Sequence, residues 1–251
     1  FFQNTLFWLE KYHFDGLRLD AVLSMIDSSP IHFLQQLTKA VNDYSEKLKR
    51  KMWLIAESGY NQPKVLLPRT EGGYEFDAQW LDDFQHALFA LLTGEQEGYY
   101  GNYGKISDLM EILVQSYLHV GGGGFDKSFR RRRPDEDFLW ISSERLISFA
   151  QNHDQVGNRL LSDRLTTIAG FEAAKVAAGV TLLSPYTPLL FMGEEYAETV
   201  PFNFFVDYTS KELSKATREG RVKEFGEFHW KGENPDPADL ETFESSKLCW
   251  D

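Results

Sequence analysis

The sequence predicts an α/β fold of the TIM-barrel type, a (β/α)8 architecture in which parallel strands alternate with helices. Four short apolar segments each run into polar or acidic residues, and helical segments separate them. The first two such ends, Asp20 and Glu57, lie about one βα repeat apart. Since (β/α)8 barrels carry their chemistry at the carboxyl ends of the strands, these polar ends are expected at one edge of a sheet.

The sequence pattern of the first part of the chain predicts two helices and two strands. Residues 4–12 carry apolar side chains at helical spacing, and the apolar segment Phe14–Val22 follows as a buried strand. The sequence 28–30, Ser-Ser-Pro, is a helix start signal, and helical spacing continues over Ile31–Arg50. Met52–Ser58 then repeats the pattern of an apolar strand that ends in a carboxylate.

Later segments continue the alternation, with loops rich in Gly, Pro and Tyr between them. The predicted elements are a helix that ends near Leu92, a helix over 107–117, a short strand over 118–120 that four glycines at 121–124 end, a strand over 145–154, an Ala-rich helix over 171–183 and a strand over 187–195. The basic run 130–133 precedes acids at 135–137, which predicts a self-neutralising loop. From Glu198 onward we expect a long polar excursion.

Composition excludes several classes of partner. The formal net charge of −12 argues against nucleic acid or an anionic membrane as the main partner. Cys249 is the one cysteine, so no intrachain disulfide can form, and a cytoplasmic location is expected. No apolar run is long enough for a transmembrane helix. The first residues carry neither an initiator Met nor a signal peptide, which predicts that the chain is cut from a longer one.

Three carboxylates, Asp20, Glu57 and Asp154, are expected to converge from three different strands. The sequence has no zinc-type His/Cys spacing, Gly-rich phosphate loop or serine nucleophile elbow, so neither a metal nor a cofactor is predicted. Paired carboxylates without these groups are typical of glycoside hydrolysis, in which one acid attacks the sugar and the other donates a proton.

Neighbouring charges suggest which carboxylate takes which role. Arg18 and Asp20 are two residues apart on a strand, so both side chains point to one face and the guanidinium favours the ionised, attacking form of Asp20. Glu57 follows an apolar segment with no cation adjacent in sequence, which makes it the better acid. A structural ion pair at the barrel rim is the alternative for Arg18 and Asp20.

Three segments resemble signature regions of the α-amylase superfamily, in the order that the superfamily shows. They are Phe14–Asp20 (FDGLRLD), Ile55–Ser58 (IAES) and Phe149–Gln155 (FAQNHDQ). The resemblance implies that Asp20 is the nucleophile on the fourth barrel strand and that Glu57 is the acid/base on the fifth. It also implies that Asp154, on the seventh, stabilises the transition state, and that Arg18 and His153 line the subsite of the reacting glucose.

Within the superfamily, the chain is most similar to the trehalohydrolases that release trehalose from trehalose-capped maltooligosaccharides. This resemblance rests on the segments 77–88, 92–95, 191–196, 201–207 and 246–248. It implies a maltooligosaccharide-type substrate, and it makes Trp80 and Asp83 candidates for the subsites of the trehalose end, by stacking and by hydrogen bonding. Trp80 as a packing residue at a loop–helix junction is the alternative.

The resemblance also sets the expected extent of the domain. Residues 1–251 correspond to strands four to eight, roughly the C-terminal half of an α-amylase-type barrel, without the N-terminal β-sandwich, the first strands or the C-terminal β-domain. An open half-barrel exposes sheet edges, so low activity and self-association are expected. Two other functions stay open: a glucan branching enzyme with the same three acids, and a non-catalytic glucan-binding module.

Overall fold

A computed structural model of the chain describes residues 1–59, 61–121, 129–224 and 235–250. Its contacts divide the chain into two compact units. Unit 1 comprises Phe1–Phe84, Ser107–Ser148 and Ser184–Thr187; unit 2 comprises Gln85–Ile106, Phe149–Leu183 and Pro188–Asp251. No helix among the described residues is both long enough and apolar enough to cross a membrane.

The described residues form short strands and mostly longer helices. The strands are β1 (Gly16–Leu19), β2 (Trp53–Ala56), β3 (Ala78–Trp80), β4 (His119–Gly121), β5 (Phe129–Arg131), β6 (Leu146–Ser148) and β7 (Thr187–Pro188). The helices are α1 (Phe2–Lys11), α2 (Phe33–Leu48), α3 (Asp82–Thr93), α4 (Ile106–Gln115), α5 (His153–Gly157), α6 (Leu165–Ala169), α7 (Phe171–Leu183), α8 (Lys211–Glu224) and α9 (Leu240–Glu244).

A five-stranded sheet with the order β1-β2-β3-β6-β7 is the centre of unit 1. The pairs β1–β2, β2–β3 and β3–β6 are parallel, which confirms the predicted α/β class with a parallel sheet. Gly16 is required where β1 meets β2, because a Cβ there would lie 2.7 Å from the Trp53 carbonyl oxygen. The register pairs Leu19 with Ala56, so the acids that follow these residues emerge at the same edge.

Helix α2 packs an apolar stripe into unit 1, as its periodicity predicts. Leu34, Leu37 and Val41 are at most 2% exposed. The helix begins after His32, whose Nδ1 accepts a hydrogen bond from the Leu34 N–H, and ends at Lys49 in the left-handed conformation. Strands β4 and β5 form a separate antiparallel pair. Gly122–Gly124 of the predicted glycine stop lie outside the described residues.

Several predicted boundaries are wrong. Strand β6 ends at Ser148 and the polar residues after it begin α5, while β7 is only two residues long and Gly193 (φ 86°) starts a separate helical turn. Strands β3 and β5 were not predicted, and the expected excursion after Glu198 contains α8 and α9. Strands β3 and β5 are each only three residues long, so local periodicity carries little signal for them.

Candidate active site

Arg18 joins the two acids at the ends of β1 and β2. Its Nη1 lies 2.5 Å from Asp20 Oδ1, and its Nη2 lies 3.0 Å from Glu57 Oε2. The side chains of Arg18 and Glu57 are 21% and 22% exposed, whereas that of Asp20 is 77% exposed. The structure therefore brings together the two carboxylates that the sequence predicts, with one cation between them.

The expectation that Glu57 stands apart from any cation is wrong. β1 and β2 are neighbours in the sheet, and Arg18 is paired in register with Ile55, two residues before Glu57. A long side chain on β1 therefore reaches the carboxylate that follows β2. The sequence alone does not predict this contact, because Arg18 and Glu57 are far apart along the chain.

Backbone donors also hold Glu57. The N–H of Ala21 donates to Glu57 Oε2 at 2.7 Å, and the N–H of Val22 donates to the Glu57 carbonyl at 3.2 Å. Ala21 has the left-handed φ of 43°, uncommon for a residue with a Cβ. The chain thus turns sharply after Asp20, and the turn aims a backbone donor at the neighbouring acid. Backbone strain of this kind often occurs at functional sites.

Trp80 lies beneath Arg18, where the sequence analysis expected a sugar-stacking residue. The guanidinium carbon is 4.1 Å from the centre of the Trp80 ring, and Trp80 is 7% exposed. A ring that is this buried and covered by a cation supports the packing alternative: it holds the Arg18 guanidinium in place. The residue is the last of β3, an element that the sequence did not predict.

Asp83 is buried as well, at 1% exposure. Its Oδ2 accepts hydrogen bonds from the backbone N–H groups of Leu118 at 2.7 Å and His119 at 2.9 Å. Its Oδ1 lies 3.5 Å from His119 Nδ1. These partners are protein groups, so the geometry supports a structural role for Asp83 in place of the predicted contact with sugar.

Residues 118–119, whose N–H groups Asp83 accepts, are linked in turn to residues that follow Glu57. The His119 carbonyl accepts a hydrogen bond from Asn61 Nδ2 at 3.1 Å, and the Asn61 N–H donates to the Ser58 carbonyl at 3.0 Å. Asn61 has φ 46°, a conformation that Asn tolerates better than most residues. A chain of buried polar contacts therefore runs from Asp83 to the residue after Glu57.

Asp154 and His153 open helix α5 in unit 2. The side-chain Oδ1 of Asn152 accepts the Asp154 N–H at 2.8 Å and so caps the helix. His153 Nε2 lies 3.5 Å from Asp154 Oδ1, and both side chains are partly exposed. Asp20 and Glu57 belong to unit 1, so the convergence of all three acids stays a prediction.

An aromatic cluster in unit 2 was missed by sequence reasoning. The His86 ring stacks on Tyr99 with 4.7 Å between the ring centres, and Tyr103 contacts the same imidazole edge-on at 5.2 Å. Partial burial raises the pKa of Tyr99, and the charges of Glu95 and Asp154 raise it further. The Gly/Tyr-rich loop at 98–104 was the only signal in the sequence.

Glu194 is a second missed residue, within the unit 2 motif Gly193-Glu194-Glu195. Its Oε2 accepts the Phe191 N–H at 2.9 Å, yet burial raises the pKa of this carboxyl to about 7. The nearby Arg164 is fully buried, and it donates to the carbonyls of Val200 and Met192. The sequence marks the acids of this motif but cannot show that Glu194 is half-buried while Glu195 is exposed.

No group of three or more His, Cys, Asp or Glu side chains within the described ranges could hold a metal ion. The contacts at the ends of β1 and β2 are those of two carboxylates, one shared guanidinium and a backbone donor.

Comparison with known proteins gives consistent matches. The chain is 42% identical over 98% of its length to a malto-oligosyltrehalose trehalohydrolase from Arthrobacter ramosus, and 40% identical over 99% to one from Saccharolobus solfataricus. It spans 43% and 42% of the lengths of these relatives. No protein-family model matches the chain. The predicted resemblance to trehalohydrolases is therefore confirmed, and it concerns less than half of each relative.

Comparison with solved structures also finds a similar protein of high coverage. A crystal structure of a Salmonella typhimurium protein, provisionally described as an alpha amylase, superposes with a TM-score of 0.85 at 39% identity, over 99% of this chain and 42% of that one.

A 1,4-alpha-glucan branching enzyme from Bacillus caldolyticus is a more distant relative by sequence, 26% identical over 80% of the chain. The similarity to the trehalohydrolases is thus clearly higher than the similarity to this branching enzyme.

Proposed function

We propose that the chain carries the catalytic acids of a retaining trehalohydrolase, which cleaves the α-1,4 bond next to the trehalose end of maltooligosyltrehalose. The observation that carries this proposal is the Arg18 bridge between Asp20 and Glu57 at adjacent strand ends. The identity of about 40% with named trehalohydrolases supports the choice of substrate. Asp20 acts as the nucleophile and Glu57 as the acid/base.

The shared cation suits both steps of a retaining mechanism. In the first step, ionised Asp20 attacks the anomeric carbon while protonated Glu57 gives its proton to the leaving oxygen. Asp20 is then a neutral ester and Glu57 is a carboxylate, ready to take a proton from the attacking water. One negative charge therefore faces Arg18 at each stage, and it passes from one carboxylate to the other. The contact between Arg18 and Glu57 is compatible with an acid role for this reason.

The hydrogen bonds of Glu57 also select the oxygen that carries the proton. Oε2 faces the Arg18 guanidinium at 3.0 Å and accepts the Ala21 N–H at 2.7 Å, so both neighbours are donors. A proton on that oxygen would meet these donors and lose their attraction. The proton of the acid form therefore resides on Oε1, and Oε1 is the atom that approaches the leaving oxygen.

The other predicted residues complete the proposal. Asp154 stabilises the transition state and His153 contacts the reacting glucose, in the roles that the α-amylase resemblance implies. The strands β1, β2, β3, β6 and β7 correspond to strands four to eight of a (β/α)8 barrel, which agrees with their order in the sheet. We place the protein in the cytoplasm because it has a single cysteine.

The test measures trehalose release from maltooligosyltrehalose, in this chain and in a longer polypeptide that supplies the remaining strands. Asp20→Asn and Glu57→Gln should each lower kcat by about 100-fold or more. Asp43→Asn, which changes an exposed acid on α2, is the matched control and should leave kcat unchanged. Near-normal turnover by Asp20→Asn, with none by Glu57→Gln, would contradict the assigned roles.

Two further readouts separate the alternative functions. Formation of α-1,6 branches on amylose, without trehalose release, would identify a branching enzyme. Binding of maltooligosaccharide without turnover by any form of the protein would identify a glucan-binding module.

A further inference from the structure

Helix α5, in unit 2, is too short to fix its own direction. It contains five residues, His153–Gly157, and it begins with the predicted site residues His153 and Asp154. Isolated helices shorter than about 12 residues are marginal in water, so contacts with neighbouring segments must set the orientation of α5. The Asn152 side chain holds its first turn. The direction in which Asp154 points therefore also depends on what holds the other end.

Arg221 of α8 holds that other end. Its Nη2 donates to the Gly157 carbonyl at 2.7 Å, and its Nη1 donates to Asn158 Oδ1 at 2.6 Å. Carbonyl groups in the last turn of a helix have no partner within the helix, so Gly157 offers an acceptor that suits a cation. Two bonds from one planar guanidinium fix both the position and the rotation of the group they bind. Arg221 thus restrains the C-terminal end of α5 in both respects.

The guanidinium of Arg221 is itself held in place. Its carbon lies 4.6 Å from the centre of the Phe204 ring, which is the distance of a cation–π contact. Arg218, about one turn earlier on the same helix, pairs instead with Asp236. Arg221 therefore joins α8 to α5, whereas Arg218 joins α8 to the segment that contains Asp236.

A different arginine anchors the chain just after α5. Arg159 Nη1 donates to Glu95 Oε2 at 2.9 Å, and the two side chains are only 15% and 14% exposed. Glu95 follows α3, so this anchor does not depend on α8. It would remain in a variant that lacks Arg221. Loss of Arg221 is therefore expected to change the direction of α5 without unfolding it.

Asp154 lies close to the end that Arg221 holds. Asp154 and Asn158 are about one helical turn apart, which is roughly 6 Å at a rise of about 1.5 Å per residue. A movement at the Gly157 end therefore displaces the Asp154 carboxylate by a similar distance. Displacement of a reacting group by about 1 Å can lower a rate about 100-fold. A modest tilt of α5 is thus sufficient to affect a reaction that uses Asp154.

We propose that Arg221 is a positioning residue for Asp154: from α8 it sets the direction of α5 and so places the Asp154 carboxylate for the reaction. The proposal rests on the proposed function, which gives Asp154 its part in the transition state. It goes beyond that function because it assigns a task to α8, in the part of the chain that the sequence predicted as a polar excursion. In this role Arg221 acts through α5 and has no contact with the substrate.

A matched pair of substitutions on α8 tests the positioning role. Arg221→Met removes both hydrogen bonds and keeps an apolar side chain, and Arg218→Met is the control. Arg221→Met should lower kcat for trehalose release by about 10- to 100-fold and leave KM for maltooligosyltrehalose within about two-fold. Arg221→Lys, which keeps the charge but loses the two-armed guanidinium, should give an intermediate kcat. Arg218→Met should change neither constant, and melting temperatures will show that all variants fold.

Combination with Asp154→Asn separates positioning from a general loss of stability. If Arg221 acts through Asp154, Arg221→Met should lower kcat by less than about two-fold once Asp154→Asn is present. A general loss of folded protein would lower kcat by the same factor in both backgrounds. Equal factors would therefore overturn the proposal, as would normal turnover by Asp154→Asn alone.

NMR gives a readout that does not require turnover. The backbone amide signals of His153 and Asp154 are compared between the isotope-labelled protein and its variants. Arg221→Met should shift both signals, because α5 changes its direction, and Arg218→Met should leave them in place. Signals that do not move in Arg221→Met would overturn the proposal.

Failure of this proposal is distinguishable from failure of the proposed function. Trehalose release that is lost in Asp154→Asn but unchanged in Arg221→Met would reject the positioning role and keep the function. Absence of trehalose release from every form of the protein, with amide signals that shift in Arg221→Met and not in Arg218→Met, would reject the function and support the placement of Asp154 by Arg221.

Discussion

Replacement of Asp83 separates a structural role from a substrate-binding role. The side chain is 1% exposed, and one oxygen, Oδ2, accepts both the Leu118 and the His119 N–H groups. Asp83→Ala removes this acceptor and leaves two buried N–H groups without it. Each unsatisfied buried donor costs about 1–3 kcal/mol, so the free energy of unfolding should fall by roughly 2–6 kcal/mol. A typical domain has only about 5–15 kcal/mol in total.

Asp83→Asn is the informative comparison. The asparagine carbonyl can occupy the position of Oδ2 and accept both backbone bonds, so only the additional strength of a charged acceptor is lost. Charged hydrogen bonds are about twice as strong as neutral ones, which predicts a loss of about 1 kcal/mol per bond. Urea denaturation of the two variants, with Asp43→Ala on the exposed face of α2 as the control, should therefore give the order Ala, Asn, control from least to most stable.

The kinetics of the same variants complete the test. A structural Asp83 acts on Glu57 through the contacts of Asn61 with His119 and Ser58, so Asp83→Asn should lower kcat and leave KM for maltooligosyltrehalose nearly unchanged. If Asp83→Asn instead raised KM and left the free energy of unfolding unchanged, Asp83 would contact substrate, and the structural account would be refuted.

The remaining predictions concern the shared cation, the half-buried Glu194 and the exposed aromatic residues. Arg18→Lys keeps the charge but loses the two-armed guanidinium, so kcat should fall by about ten-fold or more in the trehalose assay; an unchanged kcat would contradict the bridging role. Folding raises the pKa of Glu194 from 4.5 to about 7, so the folded state binds this proton more tightly, and stability falls as pH rises through that range. Glu194→Gln should remove a decrease of roughly 3 kcal/mol between pH 4.5 and pH 7 in urea titrations, and an identical pH slope in the variant would exclude this cause. Phe7, Trp8 and Tyr12 on or beside α1 are 45%, 38% and 59% exposed, so the chain should associate, with a mass above 29.0 kDa by light scattering. A monomer at all concentrations would contradict this expectation.

The local sequence pattern was sufficient to predict where the two acids at the ends of β1 and β2 lie. Apolar segments of strand length, separated by helical spacing, predict parallel strands, and parallel strands put their carboxyl ends at one edge. Asp20 and Glu57 follow paired residues in the sheet, as this reasoning requires. The motifs around the acids also led to the family resemblance that the relatives confirm.

Contacts between distant segments were decided only by the tertiary structure. The approach of Arg18 to Glu57, the burial of Trp80 under that arginine and the backbone donors on Asp83 all join residues remote in sequence. Side-chain periodicity reports which face of an element is buried, but it does not report which neighbour a polar group meets. By itself the sequence determined that acids stand at the strand ends, because each apolar segment of strand length runs directly into an acid. The fold decided which donors surround each acid, because that depends on which strands pair and on how far side chains reach across the sheet.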